Sequence, residues 1–215
     1  QLAVLARYFR SAHFMLLGDE NQAIVAHTAT YDEIRRLFTR AFGSADECRL
    51  MTSYRSSPEI TALFAGLLDA DARIEVNSVQ PEGMAPAFVE AASDEAYAQA
   101  LCEAVRDARS GDGFVALVAR SKQELKRIER ILGEDAPRVM RGDEPLPESG
   151  MVALEVSLAK GLEFDHVVIP DASSSAYPPD DDIARRCLYV ALSRATRRLT
   201  VLSKGPATPL LSGLA

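Results

Sequence analysis

The chain has 215 residues, 47% of them hydrophobic and 26% charged, which is the composition of a globular protein with one large or two small domains. Its formal net charge of −7 argues against a protein that coats nucleic acid through a general basic surface, so any such contact must come from local patches. The longest apolar runs have the length of strands, which predicts no membrane-spanning segment and favours a cytoplasmic protein with no membrane partner. The three cysteines are far apart and have no histidine at ligand spacing, so no disulfide or metal site is predicted.

Short β-rich apolar runs alternate along the chain with longer stretches of helical period. Strands are predicted at 14–18, 49–52, 87–92, 114–119, 151–156, 166–170 and 198–202. Helices are predicted at 31–42, 57–70, 94–108, 121–132 and 182–195. This alternation predicts an α/β fold with a mostly parallel sheet flanked by helices.

Between these elements the apolar period is lost in three segments. Loops are predicted at 77–86, 141–150 and 171–182, where proline, glycine, serine and aspartate are concentrated. Residues 205–215 are predicted to be a weakly ordered tail.

Four stretches stand out for their chemistry: LLGDENQAI at 16–24, TSYRSSPEI at 52–60, SLAKGLEFDHVVIPD at 157–171 and YVALSRA at 189–195. In open α/β sheets ligands bind outside the carboxyl ends of the strands, and each stretch lies at a predicted strand end or on the helix beside one. Taken singly, each is more often structural, because GDxxQ is commonly a turn, YRS a helix start and KGLEF a charged turn.

The residue types in these stretches are those that a nucleoside triphosphate needs. Arg55 and Arg194 offer fork-shaped donors to phosphate oxygens, and Gln22 can position a water molecule or a phosphate. Tyr54 can stack on a base, and Glu163 can accept hydrogen bonds from ribose hydroxyls.

Read in order, the four stretches resemble the later motifs of the UvrD/Rep/PcrA helicases of superfamily one, whose pattern runs GDxxQ, YRS, KGLEF and YVAxTRA. The resemblance spans the chain from about Phe14 to Leu202 and implies a RecA-like fold of the P-loop NTPase type. It also implies that the full protein is an ATP-dependent helicase or ATPase that uses Mg²⁺ and binds DNA.

The resemblance implies a role for each matched residue. Gln22 would sense the γ-phosphate of ATP, Tyr54 would stack on the adenine and Arg55 would contact the γ-phosphate. Gly161 and Glu163 match the fifth motif of the family, in which the glutamate contacts the ribose. Arg194 matches the arginine finger of the sixth motif.

The sequence lacks the motif that would cradle the phosphates of ATP. A loop of the form GxxxxGK[ST] needs glycine followed by lysine, and none of the 12 glycines is followed by lysine. We therefore expect the chain alone to be inactive, and an upstream first RecA-like domain to supply the phosphate loop and most Mg²⁺ ligands. Residues 1–30 would be the edge of that first domain, residues 31–204 the second RecA-like domain and residues 205–215 the tail.

Two departures from the family pattern bear on the target of the protein. Residues 23–30 read AIVAHTAT, in which His27 is the only possible base-stacking side chain, and Ser157 replaces a histidine that faces DNA. Stacking contributes about 1–3 kcal/mol per base, so the grip on single strands should be weaker. Within the family this pattern is most similar to the HelD group, whose members act on bacterial RNA polymerase. A conventional helicase that moves on single-stranded DNA and a non-catalytic protein-binding module remain as alternatives.

Outside the four stretches, Arg120 follows a predicted strand and is a candidate contact to nucleic acid, together with Ser157. The other basic residues of helix 121–132 are interleaved with Glu124 and Glu129 and are expected to form a solvated face. The acidic run Asp180 to Asp182 precedes a helix and is expected to serve its positive end rather than to bind a cation.

Overall fold

The computed structural model describes residues 1–26, 28–48, 52–68, 77–142 and 144–212. His27, most of the predicted strand 49–52, the last two residues of the predicted helix 57–70 and the last three residues of the predicted tail lie outside the described residues.

Helices and strands alternate along most of the described chain. The helices are α1 (Leu2–Tyr8), α2 (Tyr31–Phe42), α3 (Pro58–Ala65), α4 (Asp94–Ser110), α5 (Lys122–Leu132), α6 (Val156–Ala159) and α7 (Asp182–Leu192). The strands are β1 (Thr52–Ser53), β2 (Asn77–Ser78), β3 (Ala87–Ala91), β4 (Phe114–Ala119), β5 (Arg138–Val139), β6 (Gly150–Glu155), β7 (Phe164–Ile169) and β8 (Ala195–Lys204). Single 3₁₀ turns lie at Glu20–Gln22, Gly133–Asp135 and Pro209–Leu211.

Six of these strands form one sheet in the order β3-β8-β7-β4-β6-β5, and every neighbouring pair in it is parallel. The short strands β1 and β2 form a separate parallel pair. The prediction of an α/β fold with a mostly parallel sheet flanked by helices is therefore confirmed. Parallel strands need long crossover connections, and the helices supply them.

The central strand β4 shows why helices cover both faces of the sheet. Its side chains alternate between two buried clusters, so that Ala116 and Val118 face one cluster while Val115 and Leu117 face the other. The first cluster includes buried side chains of α3 and α7, such as Ile60, Leu63, Leu188 and Leu192. The second includes buried side chains of α4 and α5, such as Leu101, Val105, Leu125 and Ile128.

Polar side chains fix the starts of several helices by accepting hydrogen bonds from the first turn. Ser93 caps α4 and Ser121 caps α5, each accepting from the amide three residues later. Thr30 and Glu33 form a reciprocal capping box at the start of α2, and Gly43 ends that helix in the left-handed conformation. These local signals explain why α2 has the bounds that the sequence predicts.

Residues 14–18 are not a strand in the structure, so the predicted first strand is wrong. The apolar side chains there face solvent, with Met15 82% and Leu17 80% exposed. Phe14 is the exception, because its ring packs at 5.2 Å from the rings of both Phe38 and Phe42. This packing joins α2 to the segment before residue 30, across the domain boundary that the sequence predicts.

Two elements near the carboxyl end differ from the prediction. Helix α7 ends at Leu192 and β8 begins at Ala195, so the helix is shorter and the strand longer than the sequence indicates. Part of the predicted tail is packed, because Thr208 and Leu211 are buried. Thr208 donates a hydrogen bond of 2.6 Å to the carbonyl of Tyr177, which ties this segment to the loop after β7.

Candidate functional site

The four predicted stretches meet at the amino ends of β7 and β8. Glu163 directly precedes β7 and Arg194 directly precedes β8. The chain beside Arg55 is held there because the hydroxyl of Ser56 donates to the carbonyl of Ala195 at 2.6 Å. The expectation of a site at carboxyl strand ends is therefore wrong for these residues. The reason is that β6 and β7 are both parallel to β4, so residues 156–163, which include α6, return the chain from the carboxyl end of β6 to the amino end of β7.

Arg55 and Glu163 form an ion pair in which Nε of the arginine lies 2.6 Å from Oε1 of the glutamate. Their side chains are 39% and 49% exposed, so both are accessible to a ligand. The structure thus places side by side the two residues that the sequence assigns to phosphate and ribose.

Arg194 is buried, with 1% of its surface exposed. Its guanidinium donates from Nε to the carbonyl of Val190 at 3.1 Å, from Nη1 to the carbonyl of Leu162 at 3.2 Å and from Nη2 to the hydroxyl of Ser193 at 3.0 Å. Burial lowers the pKa of Arg194, and the nearby charge of Arg55 lowers it further. In this conformation the side chain joins the end of α7 to the loop before β7.

Asp19 organises the first stretch. Its Oδ1 accepts from the amide of Asn21 at 2.9 Å, and its Oδ2 accepts from the side-chain amide of Gln22 at 2.8 Å. The same Oδ2 accepts from the hydroxyl of Tyr189 on α7 at 3.3 Å. Burial raises the pKa of Tyr189, and the charge of Asp19 raises it further. Gln22 is therefore held beside α7 through a shared carboxylate.

Two cations that the sequence reasoning missed hold the same segment by its backbone. Lys160 donates to the carbonyl of Gln22 and Arg186 donates to the carbonyl of Ala23, each at 3.3 Å. Ile24 packs, partly buried, against the core cluster that includes α7. Lys160 lies within the KGLEF stretch, which is the one signal that could have pointed to it. Arg186 carries no signal beyond its place on α7.

Tyr54 and Gly161 lie at the open side of the site. Tyr54 is 73% exposed, and its carbonyl accepts from the side-chain amide of Gln80 at 2.6 Å. Gly161 has φ +84°, a left-handed conformation that favours glycine, and a Cβ there would meet no atom within 4 Å. Glycine at this position is explained by the backbone and not by crowding.

Arg120 and Ser157 lie beyond the carboxyl ends of β4 and β6, at the end of the sheet opposite the ion pair, although Ser157 begins the third stretch. Arg120 directly follows β4, and Ser157 lies two residues beyond the end of β6. The last residues of these two strands, Ala119 and Glu155, are paired in register. Ser157 is exposed. The guanidinium of Arg120 contacts the loop after β7. The two residues that the sequence assigns to nucleic acid thus lie just beyond the carboxyl ends of two neighbouring strands.

Within the described ranges there is no group of three or more histidine, cysteine, aspartate or glutamate side chains arranged to hold a metal ion. No helix in the described part of the chain is long and apolar enough to cross a membrane.

Comparisons with known proteins show which sequences and folds this chain resembles. Residues 150–202 match the UvrD-like helicase C-terminal domain family, and this segment contains Gly161, Glu163 and Arg194. A protein named "Probable DNA helicase" from Mycoplasma pneumoniae is 26% identical over 210 residues, covering 89% of this chain. This chain spans only 38% of the length of that relative.

A solved structure gives a similar result. The crystal structure of the C-terminal domain of a possible DNA helicase from Lactobacillus plantarum WCFS1 superposes with a TM-score of 0.62 at 27% identity. The match covers 76% of this chain and 94% of that domain. The fold described above is thus that of a helicase C-terminal RecA-like domain.

Proposed function

Because residues 150–202 match the UvrD-like helicase C-terminal domain, we propose that this chain is the second RecA-like half of an ATP-dependent superfamily 1 helicase or translocase of the cytoplasm. The observation that carries the proposal is the meeting of four separate stretches at the amino ends of β7 and β8. Two of them contact each other through the ion pair between Arg55 and Glu163. An exposed arginine beside an exposed glutamate suits a ligand that has both phosphates and ribose hydroxyls.

In this proposal ATP supplies the phosphoryl group whose transfer to water drives the protein. Tyr54 holds the base, Glu163 holds the ribose and Arg55 holds a terminal phosphate, while Gly161 lets the chain turn before Glu163. Gln22 is positioned by Asp19 to orient a phosphate or a water molecule. Positioning and charge stabilisation dominate phosphoryl transfer, so these roles are sufficient for a large effect on rate.

Arg194 is the proposed arginine finger, and its burial adds a condition to that role. All three nitrogens of its guanidinium donate to acceptors of this chain. Because only 1% of its surface is exposed, a phosphate contact requires the side chain to move out of this buried position. Arg55, which is more exposed, needs no such movement.

We propose that a first RecA-like domain completes the site with its phosphate loop and Mg²⁺ ligands. Residues before 30 offer a surface for it, because Tyr8, Met15, Leu17 and Val25 are all more than two-thirds exposed although apolar or aromatic. Burying such side chains against another domain is favourable by about 25 cal/mol per Å² of apolar surface.

ATP turnover by the purified chain, compared with the intact protein, tests this proposal. The chain alone should show no turnover, and the intact protein should hydrolyse ATP. Steady turnover by the chain that disappears in Arg194→Ala would mean that it needs no partner domain. An intact protein that neither binds nor hydrolyses ATP would favour the non-catalytic protein-binding alternative.

A second candidate is a HelD-like ATPase that acts on RNA polymerase. It is supported by the sequence at 23–30, which has no phenylalanine, tyrosine or tryptophan, and by exposed Ser157 in place of a DNA-facing histidine. ATP turnover of the intact protein should then rise more with purified RNA polymerase than with single-stranded DNA at the same ionic strength. Strong stimulation by DNA alone, with separation of a tailed duplex, would restore the conventional DNA helicase.

A further inference from the structure

Gln22 lies in a short turn that needs support from the rest of the chain. The 3₁₀ turn covers Glu20–Gln22, and the backbone is irregular at 12–19 before it and at 23–24 after it. A single helical turn is unfavourable to form by itself, because it orders several residues for few hydrogen bonds. Residues 19–24 are nevertheless half-buried. The position of Gln22 therefore depends on what this turn packs against.

The turn packs against α7, which contacts it on both sides of Gln22. Before Gln22, the hydroxyl of Tyr189 donates to Oδ2 of Asp19 at 3.3 Å. The same oxygen accepts from the side-chain amide of Gln22 at 2.8 Å. After Gln22, Nη1 of Arg186 donates to the carbonyl of Ala23 at 3.3 Å. Side chains three residues apart lie on the same face of a helix, so Arg186 and Tyr189 reach the turn together.

Lys160 also contacts the turn, but its contact is open to solvent. Its Nζ donates to the carbonyl of Gln22 at 3.3 Å, and both groups are exposed. The contacts made by Arg186 and Tyr189 are partly buried. Partly buried charges are screened less by water and salt than exposed ones. The two side chains of α7 therefore provide the more effective restraint on the turn.

The same helix leads to the proposed arginine finger. Helix α7 ends at Leu192, and Arg194 donates from Nε to the carbonyl of Val190 in its last turn at 3.1 Å. Direct contacts of α7 thus reach both Gln22, which is proposed to orient a phosphate or a water molecule, and Arg194. A change at the contacts of α7 with the turn acts on the geometry of the proposed ATP site.

We propose that Arg186 and Tyr189 are positioning residues that set the place of Gln22 for phosphoryl transfer. Tyr189 acts through Asp19, and Arg186 acts through the backbone at Ala23. The inference rests on the proposed function, in which Gln22 orients a phosphate or a water molecule. A misplacement of about 1 Å can slow a reaction about 100-fold, so side chains that do not contact the substrate still control its rate.

The test measures kcat and KM for ATP in the intact protein. Tyr189→Phe removes only the hydroxyl that reaches Asp19, and Arg186→Ala removes the donor to Ala23. Each variant should lower kcat by about 10-fold and leave KM within about 2-fold, because the proposed contacts to the base, the ribose and the terminal phosphate are unchanged. Arg186→Lys keeps a donor at this position and should retain more of kcat than Arg186→Ala.

A comparison with Gln22→Ala shows whether the two residues act through Gln22. Gln22→Ala alone should lower kcat at least as much as either variant. Adding Tyr189→Phe or Arg186→Ala to it should lower kcat by less than about 2-fold further, because residues that act as a unit are not additive. Arg130→Ala is the control, since Arg130 is exposed and donates to the carbonyl of Lys126 within its own helix. It should leave kcat and KM unchanged.

Normal kcat in both Tyr189→Phe and Arg186→Ala would overturn the proposal. Losses of kcat that multiply with that of Gln22→Ala would also overturn it, as would a raised KM with unchanged kcat. In each of these cases slow turnover by Arg55→Ala would leave the proposed function standing, whereas near-normal turnover by Arg55→Ala would contradict the proposed function itself. Circular dichroism of each intact variant detects unfolding, and Tyr189→Phe keeps the ring that packs against Phe64.

Discussion

Arg55 and Glu163 lie far apart in the sequence, yet Nε of the arginine is 2.6 Å from Oε1 of the glutamate at the amino ends of β7 and β8. Both side chains are exposed, so water screens their attraction and the pair contributes at most about 1 kcal/mol to stability. An accessible pair with so small a structural role is available to a ligand. The neighbouring Arg194 is buried, so its side chain is not accessible to a ligand in this conformation.

Replacing Arg194 with alanine should destabilise the chain. The change removes three hydrogen bonds and leaves the buried carbonyl of Val190 and the half-buried carbonyl of Leu162 without this donor, which we expect to lower the free energy of unfolding by about 2–4 kcal/mol. The burial of the side chain, of which 1% is exposed, is the reason for this expectation. Urea unfolding of Arg194→Ala and of Arg197→Ala, which alters an exposed neighbour, measures the difference. Equal stability of the two variants would contradict the structural role.

Replacing Gly161 with alanine should strain the loop that precedes β7. The left-handed conformation disfavours a Cβ by about 1–2 kcal/mol, although no atom lies within 4 Å of it. Gly43 is a matched control, because it also has positive φ and open space but lies at the end of α2. Both alanine variants should lose similar stability, whereas only Gly161→Ala should raise the KM of the intact protein for ATP. A raised KM in both variants, or in neither, would separate Gly161 from the nucleotide site.

His166 should make the chain less stable as pH falls. Burial lowers the pKa of His166 to about 4, and the charge of Arg198 contributes. The unfolded chain, with a pKa near 6.5, therefore binds the proton more readily, and stability is lost as pH falls from about 6.5 to about 4. The loss attributable to this residue is about 3 kcal/mol. Unfolding free energies across this range should show a shallower pH dependence for His166→Gln. An unchanged slope would refute the assignment.

Glu124 should make the chain less stable as pH rises, the opposite of the effect of His166. Burial raises the pKa of Glu124 to about 7, so the folded chain holds this proton more tightly than the unfolded chain. Its contribution to stability is present in acid and is lost as pH rises from about 4.5 through about 7. In Glu124→Gln, which resembles the protonated form, this loss should disappear. The same slope in the variant and in the original chain would mean that the carboxyl is ionised when folded.

The sequence predicts most of the α/β alternation because the signals at helix ends agree with the periodic spacing of the apolar residues. The bounds of α2 are correct because Thr30, Glu33 and Gly43 fix its ends by local hydrogen bonds and backbone conformation. The strand predicted at 14–18 fails because an apolar run becomes a strand only where another strand pairs with it. Met15 and Leu17 have no such neighbour among the described residues.

The candidate site is predictable in its residue types but not in its geometry. The stretches around Gln22, Arg55, Glu163 and Arg194 are visible as motifs, and the structure brings them together. Their place at the amino ends of strands depends on the path of the chain after α6, which has no local signal. The burial of Arg194 likewise depends on carbonyls contributed by separate elements.

If the converging stretches bind ATP, the intact protein carrying Arg55→Ala should show this in its rate of ATP turnover. Arg138→Ala is the control, because Arg138 is also an exposed, ion-paired arginine but lies on the edge strand β5. Arg55→Ala should slow hydrolysis by about 100-fold or more with nearly unchanged stability, since its charge acts on the transferring phosphate. Arg138→Ala should keep normal turnover. Near-normal turnover in Arg55→Ala would mean that Arg55 does not contact the transferring phosphate.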